Sequence, residues 1–345
     1  MEEPVPAEVE TREETSRWQR AGTVIALIAV IAGTAVYIQQ RVVPVLRGEE
    51  SARSGVGDKP NGFDISNASI PKRKILSGGP GRDGIPSLDV PDFIPVSEAK
   101  FLRATDPVVG FVWEDEAKAY PLKILVWHEI VNDVVGGRPI MMTYCPLCGT
   151  SMAFDRRIDG AETTFGVSGL LFESDVLMYD RETDSLWSQL KMEAVAGKRR
   201  GTRLQWLPSE QMTWQAWRER YPNSLVLSTA QGLGKNYRRK AYSGYENIDE
   251  TYFPVTLYRE DLPNKEWVVG VLVGDSAKAY PVAALKAREN GPLADRLGGV
   301  NLRIHYNVEG QWARVTRADT GAVIPHVRAY WFAWQAFYPE TAVFQ

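Results

Sequence analysis

Two cysteines and one histidine supply the side chains from which a reactive site could be built. Cys145 and Cys148 are the only two cysteines in the chain, and His128 is one of three histidines. Thiols at positions i and i+3 of a turn can direct both sulfur atoms to one point. That arrangement suits a metal ion held by two thiolates, or a reversible disulfide. A zinc site made of four cysteines from one chain is excluded by the count.

The residues around the cysteines indicate a turn between two strands. The apolar run PIMMTYCPLCGTSMAF is interrupted only by Cys-Pro-Leu-Cys-Gly, which predicts a strand, a tight turn and a second strand. A thioredoxin-like site would need the second cysteine to run into a helix, because a helix N-terminus lowers the thiol pKa. Gly149 follows Cys148 here, and FDRRIDG comes soon after. The sequence therefore does not favour a thioredoxin fold.

The histidine lies in a segment whose pattern predicts a helix, LKILVWHEIVNDVVGG. On a helix, His128 and Asn132 would share one face, and Glu129 and Asp133 a neighbouring one. Asn132 stands where a zinc protease of the H-E-x-x-H type has its second histidine, so that class is excluded. A buried packing histidine explains the segment about as well as a metal ligand does.

Two thiolates and an imidazole would form a soft site suited to copper before zinc. We therefore expect Cys145, Cys148 and His128 to bind such an ion, with Met141, Met142 or an open position completing the coordination. Glu129 or Asp133 could orient the imidazole. The protein would handle a metal ion or carry out a metal-dependent redox step. Two alternatives remain open: a thiol-disulfide oxidoreductase that uses the same cysteines, and a non-catalytic binding or assembly module with a structural disulfide.

A polar segment later in the chain, SGLLFESDVLMYDRETDSLWSQ, contains Asp175, Asp180 and Arg181. The Asp180-Arg181 pair could position a substrate. Charged residues in hairpin turns produce the same pattern.

An internal repeat indicates the domain organisation that positions these residues. Residues 108–121 and 268–281 share nine of fourteen positions, and W-x2-W-x3-Y-P begins at Trp214 and again at Trp331. The pattern predicts a duplicated, β-rich α+β domain, with a first repeat at 76–235 and a degenerate second repeat at 236–345. Asn307 and Gly310 stand where the first repeat has its cysteines, so we place any chemistry in the first repeat.

The N-terminal residues predict a membrane anchor. Residues 21–40 carry no charge for a length that spans a bilayer as a helix, after an acidic tail at 1–20. Residues 41–75 are predicted to be a polar linker. Arginines flank the anchor evenly, so charge does not fix its orientation. A short tail before the anchor and a long domain after it favour a single-pass protein whose C-terminal domain is extracytoplasmic, periplasmic or on the cell surface.

Composition excludes other classes of protein. With 40 basic and 43 acidic residues the chain has a formal charge of −3, so nothing indicates a nucleic-acid partner. There is no G-x-S-x-G motif, phosphate-binding glycine loop or dinucleotide fingerprint, and nothing supports nucleotide chemistry or serine hydrolysis. The sequence identifies no protein partner.

Several motifs together resemble one family. They are SGGPGRDGIPSLD, AYPLKILVWHEIVNDVVGG with its WHEIVND core, TYCPLCGTSMAFDR with its YCPLCG core, the 169–190 segment and the W-x2-W-x3-Y-P closure. From about residue 76 to the C-terminus the chain resembles the domain-of-unknown-function family numbered 3179. The resemblance implies an exported or membrane-anchored bacterial or archaeal protein and no particular reaction. The positions that it carries over are Asp83, His128, Glu129, Asn132, Asp133, Cys145, Cys148, Asp180 and Arg181.

Overall fold

Strands predominate in the part of the chain that the computed structural model describes, residues 59–288 and 291–345. The first sixteen strands are β1 Ile75–Ser77, β2 Phe93–Pro95, β3 Pro107–Trp113, β4 Glu116–Pro121, β5 Ile130–Val135, β6 Arg138–Cys145, β7 Thr150–Asp155, β8 Arg157–Ile158, β9 Ala161–Glu162, β10 Phe165–Phe172, β11 Asp175–Asp180, β12 Leu186–Ser188, β13 Glu193–Ala196, β14 Gln205–Leu207, β15 Glu210–Thr213 and β16 Leu225–Leu227. The others are β17 Trp267–Val273, β18 Ser276–Pro281, β19 Leu293–Leu297, β20 Val300–Asn307, β21 Trp312–Arg317, β22 His326–Tyr330 and β23 Ala342–Val343.

The described chain has four 3-10 helices of three residues each, at Pro60–Gly62, Lys72–Lys74, Val96–Glu98 and Tyr245–Asn247. Its α-helices are short and lie at the ends of strands. They are α1 Leu122–Leu125, α2 Trp214–Arg220, α3 Val282–Lys286 and α4 Trp331–Phe337. None of the helices in this part of the chain has the length and apolar character needed to cross a membrane. The predicted tail at 1–20 and anchor at 21–40 lie outside the described residues. The β-rich character predicted from the sequence is confirmed.

Two antiparallel sheets carry the residues of interest. The thiol sheet has the strand order β14-β7-β6-β5, and its central pair is joined with Cys145 opposite Thr150. The carboxylate sheet has the order β1-β10-β11-β12-β13, and its β10–β11 hairpin pairs Phe172 with Asp175. Side chains from both sheets share one hydrophobic core that includes both cysteines, Met178 and Trp187. The predicted strand, turn and strand around the cysteines are confirmed.

The predicted helix around His128 is wrong over most of its length. Only Leu122–Leu125 is helical, and Ile130–Val135 forms β5, paired with β6 from Ile130↔Thr143 to Val135↔Arg138. The β-branched residues of IVNDVV favour a strand. Gly136 and Gly137 follow with φ of 54° and 72°, the left-handed pair that a two-residue hairpin turn requires. This Gly-Gly signal was the one that the helical pattern concealed.

Two further sheets contain the repeated sequence segments. One has the order β15-β3-β4-β16-β2 and the other the order β22-β17-β18-β23. In each, the glycine of Val-Val-Gly lies beneath a tryptophan of the adjacent helix. A Cβ at Gly110 would come within 1.9 Å of the Trp217 ring, and one at Gly270 within 2.3 Å of the Trp334 ring. Only glycine leaves room for these rings.

The described part of the predicted linker is packed against the domain. Phe63, Ile65 and Ile70 are buried in a cluster with Leu170 and Tyr179 of the carboxylate sheet. Residues 59–75 are therefore not a polar linker in the structure, because their apolar side chains cover one face of that sheet.

Candidate metal centre

The turn between β6 and β7 brings the two thiols together. Cys145 ends β6, Cys148 lies inside the turn, and the two thiols lie 3.7 Å apart without a disulfide. Their exposed fractions are 1% and 0%. Gly149 follows with φ of 68°, where a Cβ would come within 2.4 Å of the Trp267 ring. The turn thus requires glycine after its second cysteine, and the thiols are held deep in the core.

The β10–β11 hairpin delivers a carboxylate to the same place. One oxygen of Asp175 and the two sulfur atoms all lie within 4.8 Å of one another, the only such cluster of donor atoms in the described chain. Glu173 and Ser174, with φ of 51° and 64°, form the hairpin turn. Neither is a glycine, so the turn is strained, and strain of this kind concentrates at functional sites. The Ser174 carbonyl accepts a hydrogen bond from the Cys148 thiol at 3.3 Å.

Hydrogen bonds from segments distant in sequence hold the β10–β11 turn in place. The Glu173 carboxylate accepts from the Thr256 amide at 2.6 Å and also bonds the Thr256 hydroxyl. The Ser174 hydroxyl donates to the Phe253 carbonyl, and the Leu190 amide donates to Asp175 Oδ2 at 3.0 Å. Asp175 Oδ1 is buried and has no hydrogen-bond partner within the described chain. A carboxylate oxygen without such a partner, beside two thiols, is free to contact a cation.

A glutamine bridges the strands on either side of the cysteine turn. Gln189 accepts a hydrogen bond from the Thr150 hydroxyl at 2.6 Å and donates to the Thr143 hydroxyl at 2.7 Å. All three residues are fully buried. Because Gln189 precedes Leu190, whose amide holds Asp175, one short segment fixes both the thiol strands and the carboxylate.

Glu129 lines a small cavity of about 40 Å³ beside Cys145. That volume admits a water molecule or two. Glu129 is 7% exposed, has φ of 57°, and its side chain makes no hydrogen bond to the described chain. A positive φ is unusual for a residue with a long side chain, so the backbone is strained at Glu129. The site thus presents a second buried acid, outside the 4.8 Å cluster.

Burial favours the protonated forms of this group of side chains. It raises the pKa of Glu129 to about 8, with a further contribution from the Asp175 charge. It raises the pKa of Asp175 to about 7, although the amides of Leu190 and Val176 and the neighbouring thiols pull the value down. The pKa values of the Cys145 and Cys148 thiols are raised for the same reason, that of Cys148 strongly. A cation would have to displace protons to bind here.

The histidine expected to be a ligand is not part of the cluster. His128 Nδ1 lies 2.8 Å from the Pro86 carbonyl, and Nε2 lies 2.7 Å from the Tyr237 hydroxyl. Both ring nitrogens are therefore engaged, and burial lowers the histidine pKa. His128 is thus a buried residue bonded to Pro86 and Tyr237, and Asp175 rather than His128 lies with the two thiols in the cluster.

Asn132 and Asp133 face structural partners. Asn132 exchanges two hydrogen bonds with the backbone of Phe165 and donates to Asp89, thereby joining β5 to β10. Asp133 accepts from the Lys118 ammonium at 3.1 Å and from the Tyr120 hydroxyl at 2.6 Å. Neither belongs to the metal-capable cluster.

Asp83, Asp180 and Arg181 belong to two other polar networks. Asp180 is fully buried and accepts hydrogen bonds from Trp187, Thr183 and Arg199. Arg181 lies 3.2 Å from Asp89 and 3.7 Å from Asp83, which also accepts a hydrogen bond from Tyr179. These contacts hold hairpins and loops together.

Asp175 is the member of the cluster that sequence reasoning missed. It lies in the 169–190 segment, where an acidic residue in a hairpin turn is unremarkable by type. The available signal was position: Asp175 directly follows a Glu-Ser turn that joins two apolar strands without a glycine, and such a turn is strained.

Comparison with known proteins gives one result. The profile of a family described as "Protein of unknown function (DUF3179)" matches residues 82–323, which include Cys145, Cys148, Asp175 and Glu129. No curated protein and no solved structure matches the chain. Since the match covers well over half of its length, the chain belongs to the DUF3179 family.

Proposed function

We propose that the protein binds a zinc ion through Cys145, Cys148 and Asp175. The observation that carries this proposal is that two thiols and one oxygen of the buried Asp175 carboxylate lie within 4.8 Å of one another, and that Asp175 Oδ1 has no hydrogen-bond partner in the described chain. Two sulfur atoms bound to one tetrahedral zinc at about 2.3 Å each would lie roughly 3.8 Å apart. The 3.7 Å between the two thiols matches that geometry.

The donor set favours zinc over copper. Thiolates with an imidazole or a thioether select copper(I), whereas thiolates mixed with carboxylates suit borderline zinc. With the carboxylate of Asp175 in the cluster and His128 engaged elsewhere, the balance moves towards zinc. Three protein donors leave a fourth position, and Glu129 in the adjoining cavity would reach it through a water molecule. An open fourth position is typical of catalytic rather than structural zinc sites.

Metal content tests the proposal directly. The full chain, purified under reducing and anaerobic conditions, is titrated with zinc against a competing chelator, and bound metal is measured by elemental analysis. We expect one zinc per chain. Cys148→Ser and Asp175→Asn should each weaken binding by more than the roughly 10–100-fold that loss of an outer-shell partner costs.

Two control variants make the result specific. His128→Gln removes the imidazole that the sequence suggested as a ligand and should leave zinc affinity unchanged. Asp184→Asn removes an exposed carboxylate paired with Arg82 and should also have no effect. A wild-type chain that takes up no zinc, or a His128→Gln variant that loses it, contradicts the proposed site.

A thiol-disulfide oxidoreductase is the second candidate, favoured by the proximity of two free thiols. A disulfide between these residues needs only a small approach of the sulfur atoms. Burial and raised thiol pKa values count against it, because the attacking species is an accessible thiolate. Alkylation of native and unfolded protein, followed by mass spectrometry, distinguishes the two. An oxidoreductase would show rapid labelling in the native state and a disulfide that mild reductant opens.

The third candidate, a binding or assembly module with a structural disulfide, requires an oxidised pair. Both cysteines are free in the structure. A chain isolated with a permanent disulfide and no metal would favour this candidate over zinc.

We also propose that the chain is anchored by residues 21–40 with its C-terminal domain outside the cytoplasm. The uncharged 20-residue run and the length of chain that follows it support this placement. Protease treatment of intact cells and of inverted vesicles tests it. The domain should be cleaved only from the outer side.

The two sheets with the repeated segments support descent by duplication. In each, the Val-Val-Gly strand pairs antiparallel with the Ala-Lys-Ala-Tyr-Pro strand in the same register, Val108↔Pro121 and Val268↔Pro281. In each, the indole N–H of the covering tryptophan donates to a hydroxyl seven residues later, Trp217 to Ser224 and Trp334 to Thr341. We infer that the first copy acquired the metal centre and that the second supports it.

A further inference from the structure

A second concave feature lies beside the cysteine turn and has a different chemistry. This cleft has a volume of about 680 Å³, within the range of sites for small molecules. Pro146 of the Cys-Pro-Leu-Cys turn and Tyr144 before it form one edge, and Arg328 and Tyr330 of β22 line it as well. Neither cysteine lines it, so the cleft is separate from the metal centre.

Arg328 is the unusual residue of the cleft. Its side chain is largely buried, and its Nε has no hydrogen-bond partner. Within the described chain its guanidinium takes part in no ion pair and no hydrogen bond. The guanidinium lies over the Trp267 ring, 4.3 Å from the guanidinium carbon to the ring centroid. Burial of a charged guanidinium without an anionic partner costs free energy, and such a group marks a place where an anion can bind.

The charge of the lining agrees with an anionic occupant. Among the described residues, two acidic ones line the cleft, Asp106 and Glu246, and Asp106 is already bonded to Lys123 and Arg103. Three consecutive exposed cations on its rim have no ion pair within the described chain: Arg238, Arg239 and Lys240. The cations that line the cleft outnumber the acids, and an anion would be drawn to it.

The walls are aromatic and flat. Trp267 and Tyr330 lie with their ring centroids 4.2 Å apart, and Tyr245 contacts Tyr330 edge-on at 6.4 Å. Tyr144, Tyr237 and Tyr242 also line the cleft. The Tyr245 hydroxyl is buried without a hydrogen-bond partner in the described chain, so the walls include an unused polar group. Such walls accept a planar apolar body and can bond its polar substituents.

We propose that this cleft binds a small organic carboxylate with a planar, aromatic body, and that Arg328 receives the carboxylate. The guanidinium can hold both carboxylate oxygens in a bidentate pair. The aromatic walls would enclose the ring, and the rim cations would raise the local concentration of the ligand. The cleft is independent of the proposed zinc centre, since none of the three zinc donors lines it.

Binding of benzoate tests this assignment, with benzamide as the neutral molecule of the same shape. The full chain is titrated with each compound, and with inorganic phosphate, by isothermal calorimetry or by ligand-observed NMR, in the presence of a chelator. We expect saturable benzoate binding, at least about tenfold weaker binding of benzamide, and a similar loss of benzoate affinity in Arg328→Gln. Arg317→Gln, which removes an exposed arginine paired with Asp319, is the matched control and should bind benzoate normally.

Two further arms keep the proposal open to refutation if Arg328→Gln fails to fold. Arg239→Gln alters only the exposed rim and should weaken benzoate binding by roughly twofold, an effect that disappears at high salt. Arg328→Lys keeps the charge but lacks the planar guanidinium, and it should bind benzoate less tightly than the wild type does. Equal binding of benzoate and benzamide, unchanged affinity in Arg328→Gln, or phosphate binding without benzoate binding would each overturn the proposal.

Discussion

Replacing Glu129 with glutamine should stabilise the metal-free protein at neutral pH. The Glu129 carboxyl is buried, makes no hydrogen bond to the described residues, and has its pKa raised by burial from 4.5 to about 8. A raised acid pKa means that the folded state retains a proton that the unfolded state releases. The contribution of this group to stability is therefore complete below pH 4.5 and is lost as the pH rises towards 8.

The size of the stabilisation follows from how far pH 7 lies above the ordinary pKa of a glutamate. At pH 7 the folded protein must keep Glu129 protonated about 2.5 pH units above its ordinary pKa, which costs roughly 3 kcal/mol. Glutamine has nearly the same shape and carries no proton to lose. Glu129→Gln should thus raise the free energy of unfolding by up to about 3 kcal/mol at pH 7 and by almost nothing at pH 4.5.

Urea unfolding followed by tryptophan fluorescence, with chelator and reductant present, measures this difference. The wild type should lose stability between pH 4.5 and 8, and more than Glu129 alone accounts for, because the Asp175 pKa is also raised. A pH-independent wild type, or a glutamine variant whose stability relative to the wild type is the same at both pH values, would refute the assigned burial of this acid.

Three more perturbations test the packing and the site. Gly110→Ala should lower the free energy of unfolding by about 1–3 kcal/mol or more in urea melts, because the added methyl clashes with the Trp217 ring, whereas Gly81→Ala has open space and should change little. Asp133→Ala should cost about 3 kcal/mol by the same measurement, since it removes the buried carboxylate that bonds Lys118 and Tyr120 and leaves the ammonium with only the more exposed Glu116 as an anionic partner. Zinc affinity, measured by chelator competition, should fall steeply as the pH is lowered from 8 to 6, because protons compete for thiols whose pKa values are raised. An affinity that is flat over this range would exclude thiolate ligands.

The cysteine turn could be predicted because its signals are local. Apolar residues on both sides of Cys-Pro-Leu-Cys-Gly specify two strands, and a glycine after the second cysteine specifies a tight turn. The same reasoning failed at His128. The spacing of apolar residues there suits a helix, but the segment Ile130–Val135 is rich in β-branched residues and is followed by Gly-Gly. This segment is a strand because it pairs with β6, and such pairing between strands cannot be seen in the local sequence.

The composition of the site could not be predicted for a related reason. Asp175 reaches the thiols because the β10–β11 hairpin packs over the cysteine turn, 27 residues away along the chain from Cys148. His128 is nearer in sequence, yet its ring is held by Pro86 and Tyr237. Proximity along the chain was therefore a poor guide to which side chains meet.

X-ray absorption at the zinc edge of the zinc-loaded full chain tests the central claim most directly. The claim predicts two sulfur scatterers at about 2.3 Å and oxygen scatterers at about 2.0–2.2 Å. It also predicts no outer-shell pattern from an imidazole ring. A spectrum with an imidazole contribution, with fewer than two sulfur atoms, or with zinc surrounded by water alone would contradict a centre built from Cys145, Cys148 and Asp175.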